Sequence, residues 1–256
     1  MSENQNPEDE DVDDSDPDES LLLRGIVAFG LTLLANVVGG FLVAPAVLLG
    51  LGQDLLSVAT VFTLAELGYA VAAVFFISAN GLGRGYLRLS SSDWSRISKY
   101  IAGFGVVFAS FSFITVASVN LAGISTLPSM AVKSPINPPT LFLMMIPLSI
   151  VVVAPAEELF FRGVLQTYIG KVTSSRNAVL VAGGLFALVH VPNYLALPSA
   201  LAMVIMTTVI FVVGLGIGYA YESSDSLYVA IGVHAVYNSL VMAGWYVLVT
   251  QGVVSL

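Results

Sequence analysis

The sequence predicts an all-α polytopic membrane protein, on three observations. Apolar residues fill 57% of the 256 positions and charged residues only 10%, and the mean hydropathy is strongly positive. Several stretches reach the roughly 20 apolar residues needed to cross a ~30 Å hydrocarbon core. No stretch shows the roughly ten-residue in/out alternation of a membrane barrel. The spans must therefore satisfy their backbone polar groups internally, as helices.

The first element is not a span. Residues 1–20 hold ten acids (Glu3, Glu8, Asp9, Glu10, Asp11, Asp13, Asp14, Asp16, Asp18 and Glu19) and no base. Such a stretch cannot bury a core, so a disordered acidic tail is expected. Without it the formal net charge moves from −8 to about +2, so the acidity belongs to the tail. No signal peptide is expected, because the N-terminus has no basic n-region. The chain has no cysteine, which excludes disulfides and thiolate metal sites.

Residues 21–256 read as one membrane-embedded domain. Seven hydrophobic segments cover approximately 22–50, 55–79, 100–122, 139–160, 177–191, 199–221 and 227–250. Arg24, Gly39 and Gly40 within the long first segment point to a tilt or bend. The stretch Arg84 to Lys99 interleaves bases with Tyr86, Leu87, Leu89, Trp94 and Ile97 and reads as interfacial. Pro135, Pro138 and Pro139 mark a loop before the fourth segment. The fifth is short, and Val191-Pro192 marks a break at its end.

Basic residues set the expected orientation. Arg84, Arg88, Arg96 and Lys99 precede the third segment, and Lys171 and Arg176 flank the turn after the fourth. Basic loops stay cytoplasmic, which places the N-terminus there too, in the cell membrane. Lys133 is the one exception.

Chemistry concentrates in three places. Leu141 to Ala156 carries no charge, and it ends on Glu157, Glu158 and Arg162. A charge at the centre of a membrane helix costs about 2.5–3.5 kcal/mol on insertion scales. Glu158 and Arg162 are four apart, on one helix face in the favourable order. Glu157 is rotated by about 100° and gains no partner from the motif. It is free to act as a general base, or the group is an ion pair with a snorkelling acid.

The only two histidines, His190 and His234, both lie in apolar segments. Asn238 follows His234 by four, so imidazole and carboxamide stand side by side. That arrangement offers two donors to an oxyanion, or one interhelical hydrogen-bond pair. Phe186, four before His190, walls the same face. Glu157 and His190 each lie about 24 Å from the polar turn Thr173-Ser174-Ser175. His234 is nearer its own turn at Glu222 to Asp225, so a protruding hairpin is needed to bring all three to one depth. Glu66 is a lone acid in the second segment, and its spacing assigns it no partner.

No HExxH, GxSxG or GxGD occurs, which removes the patterns of site-2 proteases, rhomboids and presenilins, and there is no P-loop. EExxxR (Glu157, Glu158, Arg162), FxxxH (Phe186, His190) and HxxxN (His234, Asn238) occur in that order. Together they resemble the CPBP family of intramembrane proteases, also called the ABI or type II CAAX prenyl endopeptidase group, over about 140–250. The resemblance implies seven to eight helices around an intramembrane cavity open to the cytoplasm, and hydrolysis without a covalent intermediate. It implies that Glu157 and His190 activate a water, and that His234 and Asn238 stabilise the oxyanion. Glu158 and Arg162 would orient the site. The cofactor is open. Glu157, His190 and His234 are candidate ligands for a divalent metal such as zinc, and serve equally as acid and base.

The expected partners are a peptide or membrane-protein substrate and membrane lipid, with no nucleic acid. The rival expectation is a membrane scaffold or proton-coupled transporter built on the same residues, in which Glu66 matters as much as Glu157.

Overall fold

The computed structural model describes residues 17–89, 93–124, 126, 138–195, 197 and 199–252, and among these there is no strand. The acidic residues before Pro17, together with Lys133 and Pro135, lie outside the described residues. Seven helices are long and apolar enough to cross a membrane, so the fold is that of an all-α integral membrane protein.

Helix α1 runs Pro17–Leu48, α2 Leu55–Ala79 and α3 Trp94–Leu121. Helix α4 is continuous over 138–170, α5 runs Ser175–Tyr194, α6 Ala200–Ser224 and α7 Leu227–Thr250. Their starts are written locally. Asp54 and Ser57 form a capping box at α2, and the Ser57 amide holds the exposed Asp54 carboxyl below its ordinary range. Asp93, Ser174 and Ser199 accept from the amides of Arg96, Asn177 and Ala202 at the starts of α3, α5 and α6.

Four boundaries differ from the sequence expectation. Helix α1 begins at Pro17, inside the stretch assigned to the tail, as proline favours a first helical turn. Trp94, Arg96, Ile97 and Lys99 are the opening turns of α3, and only Arg84–Leu87 forms a separate 3-10 turn. Helix α4 continues ten residues past 160 because its polar side chains find buried partners. Helix α5 passes through Val191-Pro192 to Tyr194. The proline sits in the last turn, where it removes only one helical hydrogen bond.

Neighbouring spans alternate in direction. Helices α1 and α2 meet through small residues. A Cβ on Gly68 would lie 2.5 Å from the Ala35 carbonyl oxygen, and one on Gly39 would lie 2.6 Å from that of Ala65. Only glycine allows backbones that close. Helix α4 is central. Every residue from 160 to 167 is buried, so these roughly two turns are enclosed on all faces. Tyr69, Phe160, Phe161 and Phe186 join α2, α4 and α5 in one core cluster, while Val213, Ile217, Val233 and Tyr237 join α6 and α7 in a second.

Helix α4 is not uniform. It is α-helical over Pro138–Leu148, π-helical over Ser149–Val153, α-helical over Ala154–Glu158, π-helical over Leu159–Gln166 and α-helical over Thr167–Gly170. The wide turns re-phase its faces on either side of the acidic pair.

Candidate active site

The second wide segment of α4 lies against α6 in parallel register. Arg162 Nη2 donates to the Gly214 carbonyl at 2.9 Å, and Gln166 Nε2 donates to the Gly218 carbonyl at 3.1 Å. The two donors are four apart, and so are the two glycines. The bare Cα of Gly218 admits Gln166, whose Oε1 would lie 2.8 Å from a Cβ there, while a Cβ on Gly214 would meet the Phe186 ring at 3.1 Å. Gln166 also donates to Glu222 at 2.8 Å, and Arg88 pairs with Glu222 at 3.0 Å. The α6–α7 turn therefore sits level with Gln166, four residues short of the end of α4. The α4–α5 hairpin protrudes by about 6 Å, in the sense the depth count required.

That offset brings residues from three helices together. Arg162 Nη1 donates to Glu158 Oε1 at 3.0 Å, as the four-residue spacing predicts. His234 Nδ1 donates to the same oxygen at 2.6 Å. Glu158 and Arg162 are both fully buried. One carboxylate thus meets a guanidinium and an imidazole, which is how a buried charge is tolerated. The sequence spacing reveals the first partner and conceals the second.

Glu157, one residue earlier, faces both histidines. Its Oε1 lies 3.9 Å from His190 Nε2, and its Oε2 lies 3.7 Å from His234 Nε2. Neither distance is a hydrogen bond, and Oε2 is buried without a partner. His190 Nδ1 lies 2.8 Å from the Phe186 carbonyl. A carbonyl only accepts, so that nitrogen carries the proton and Nε2 presents a lone pair toward Glu157. The His190 side chain is 21% exposed, against 5% for Glu157, so the carboxylate is approached past this ring.

Phe186 holds the cluster from the side. Its ring lies 4.6 Å from that of His190, 5.7 Å from that of His234 and 5.2 Å from that of Phe161. The Arg162 guanidinium carbon sits 4.7 Å over its face.

Of the seven side chains singled out in the sequence, six meet here: Glu157, Glu158, Arg162, Phe186, His190 and His234. Asn238, on the same helix as His234, also reaches α4. Its Nδ2 donates to Ser149 Oγ at 2.9 Å, one turn beyond His234. Ser149 and Gln166 escaped the sequence reading, although each is a buried polar residue of α4. Glu66 is also placed by the fold. Tyr69, three residues on, packs at 5.6 Å and 5.5 Å on Phe160 and Phe161. Phe160 is likewise three residues beyond Glu157, so Glu66 on α2 stands at the level of Glu157. One of its oxygens is buried without a partner.

The donor set does not converge on a metal. The two Nε2 atoms approach different oxygens of one carboxylate. Among the described residues no group of three His, Cys, Asp or Glu side chains is arranged to hold an ion. Glu157, His190 and His234 form no such group here.

Comparison with known proteins agrees with the motifs. No curated protein and no solved structure matches the chain. Residues 139–240 match the family model described as Rce1-like, type II CAAX prenyl endopeptidase. The match begins within α4, ends within α7 and contains every motif residue. Over residues 139–240 the chain is thus similar to an Rce1-like domain, of the type II CAAX prenyl endopeptidase kind that the three motifs resemble.

Proposed function

We propose that the protein is an intramembrane endopeptidase that hydrolyses a peptide bond of a membrane-associated or prenylated peptide with a water activated by Glu157 and His190. One observation carries the reading: a buried carboxylate faces an imidazole lone pair across 3.9 Å. Both groups are acceptors, and a water between them can donate one hydrogen to each. Its oxygen lone pair is then free for a carbonyl carbon.

The remaining steps follow from the protonation the contacts require. Glu157 takes the water proton as the oxygen attacks. The carbonyl oxygen becomes an oxyanion, met by His234 Nε2–H and by the second Nδ2–H of Asn238. His234 can donate there only as imidazolium, because its Nδ1–H is held by Glu158. The Glu158 carboxylate that accepts from Nδ1 lies against that ring. Glu157 then passes its proton to the leaving nitrogen as the C–N bond breaks. No metal enters these steps.

Orientation follows from charge. Arg24, Arg84, Arg88, Arg96, Lys99, Lys171 and Arg176 gather at the end where α1, α3, α5 and α7 begin. Arg24 is tied there to the Tyr168 carbonyl at 2.6 Å. This supports a cytoplasmic N-terminus.

The test uses the full chain in detergent with a fluorescence-quenched, farnesylated CAAX-type peptide. Glu157→Gln and His190→Ala should each lower cleavage at least about 10²-fold while the helical content stays unchanged. Full activity in either variant overturns the reading. Glu66→Gln should retain most cleavage. A coupled proton flux in vesicles that Glu66→Gln abolishes would favour the transporter instead.

A further inference from the structure

We infer that Ser149 is a positioning residue of this site: its hydroxyl orients the Asn238 carboxamide so that one amide hydrogen is spent on α4 and the other is held toward the substrate carbonyl. This rests on the proposed oxyanion role of Asn238.

Ser149 is the one polar residue in the run from Leu141 to Ala156, and it is 1% exposed. A hydroxyl buried in an apolar span is costly unless it is partnered. Its partner is the Asn238 amide, at 2.9 Å across 89 positions of chain. A carboxamide has two chemically different ends and can rotate by half a turn. With Nδ2 donating to Ser149 Oγ, the second N–H is the amide hydrogen left for another acceptor.

The backbone explains how Ser149 reaches that seam. In an unbroken α-helix, eight residues separate Ser149 from Glu157 by about 80° around the axis. The wide turn at Ser149–Val153 absorbs about one extra residue, or roughly 100°. Ser149 is thereby brought close to the face of Glu157, toward α7. The Ser149–Asn238 pair stands one turn of α7 beyond the Glu158–His234 pair, so α4 places an acceptor behind each of the two proposed oxyanion donors. Single-turn wide segments often mark functional sites.

A cycle of variants tests this on the farnesylated peptide. Ser149→Ala should lower kcat about tenfold and leave KM and the unfolding midpoint close to wild type. Asn238→Ala should lower kcat by about 10². Adding Ser149→Ala to Asn238→Ala should cost nothing further, because the hydroxyl then has nothing to orient. Wild-type kcat in Ser149→Ala, or single effects that multiply in the double variant, would overturn the inference. So would a fall in the unfolding midpoint that accounts for the lost activity. The underlying reading fails separately, on full cleavage by Glu157→Gln. If Glu157→Gln and Asn238→Ala are impaired and Ser149→Ala is not, only the inference about Ser149 falls.

Discussion

Glu158 and His234, 76 positions apart in the chain, share a 2.6 Å hydrogen bond inside the membrane domain. The same Glu158 oxygen accepts from Arg162. Glu158 therefore has two tasks, of which the motif spacing displays one. It offsets the guanidinium, and it holds the imidazole ring of the residue proposed to meet the oxyanion. Glu158→Gln keeps the shape and removes the charge. It should lower kcat by about 10²–10⁴-fold and change KM only slightly, as steady-state cleavage would show. Wild-type kcat would mean that the carboxylate serves folding alone.

The same pair predicts a stability effect. Arg162 is wholly buried, and Arg162→Met leaves Glu158 with a buried, half-compensated charge. Breaking such a pair costs about 3–5 kcal/mol. Arg162→Lys should recover little, since an ammonium cannot serve both Glu158 and the Gly214 carbonyl in the fork geometry seen. The double variant Glu158→Gln, Arg162→Met should regain much of the stability without regaining activity. Equilibrium unfolding in mixed detergent, alongside cleavage, separates the two effects.

Helices α1 and α2 lie outside the segment that matches the family model, yet α2 carries Glu66 and Tyr69 to the site. Their seating depends on the α1–α2 contact. Gly68→Leu would drive a side chain into the Ala35 carbonyl and the Gly39 backbone, at 2.5 Å and 2.6 Å already for Cβ. No flexible group there can give way. The variant should unfold at markedly lower denaturant, whereas Gly40→Leu, with open space at its Cβ, should unfold as wild type does.

The spans were legible because hydropathy is local. The Glu158–Arg162 pair was legible for the same reason. What stayed hidden depends on the phase between helices. Two wide segments in α4 alter its phase by amounts that no residue type signals. The Ser149–Asn238 bond follows from the first, and the Arg162 and Gln166 rungs on Gly214 and Gly218 accompany the second. Helix α4 also overran its expected end, because Arg162 and Gln166 look like a boundary to a hydropathy window. They are in fact satisfied by backbone carbonyls of α6. His234 and Asn238 each bond across to α4, to Glu158 and to Ser149, and spacing on one face cannot name either partner.

Chelation is a direct check on the donor geometry. His190 and His234 approach different oxygens of Glu157, and no three-ligand group exists among the described residues. Dialysis against a strong zinc chelator should leave cleavage unchanged, and elemental analysis should find substoichiometric zinc in the active protein. Loss of activity that stoichiometric zinc restores would require the two rings to rotate onto a single point.

Phe186 should prove to be more than core. Its ring is in contact with both imidazoles and carries the Arg162 guanidinium on its face, and its carbonyl fixes the His190 tautomer. A substitution there leaves the carbonyl in place and removes only the flat surface. Phe186→Leu preserves apolar character, so the loss in stability should be modest, about 1–2 kcal/mol. The effect on rate should be larger in proportion, because a ring freed by even about 1 Å can cost up to 10²-fold in a positioned reaction. A kcat reduced at least tenfold with KM nearly unchanged is therefore expected for Phe186→Leu. Equal losses in Phe186→Leu and in a Leu185→Ala control, a neighbouring buried residue outside these contacts, would reduce Phe186 to packing.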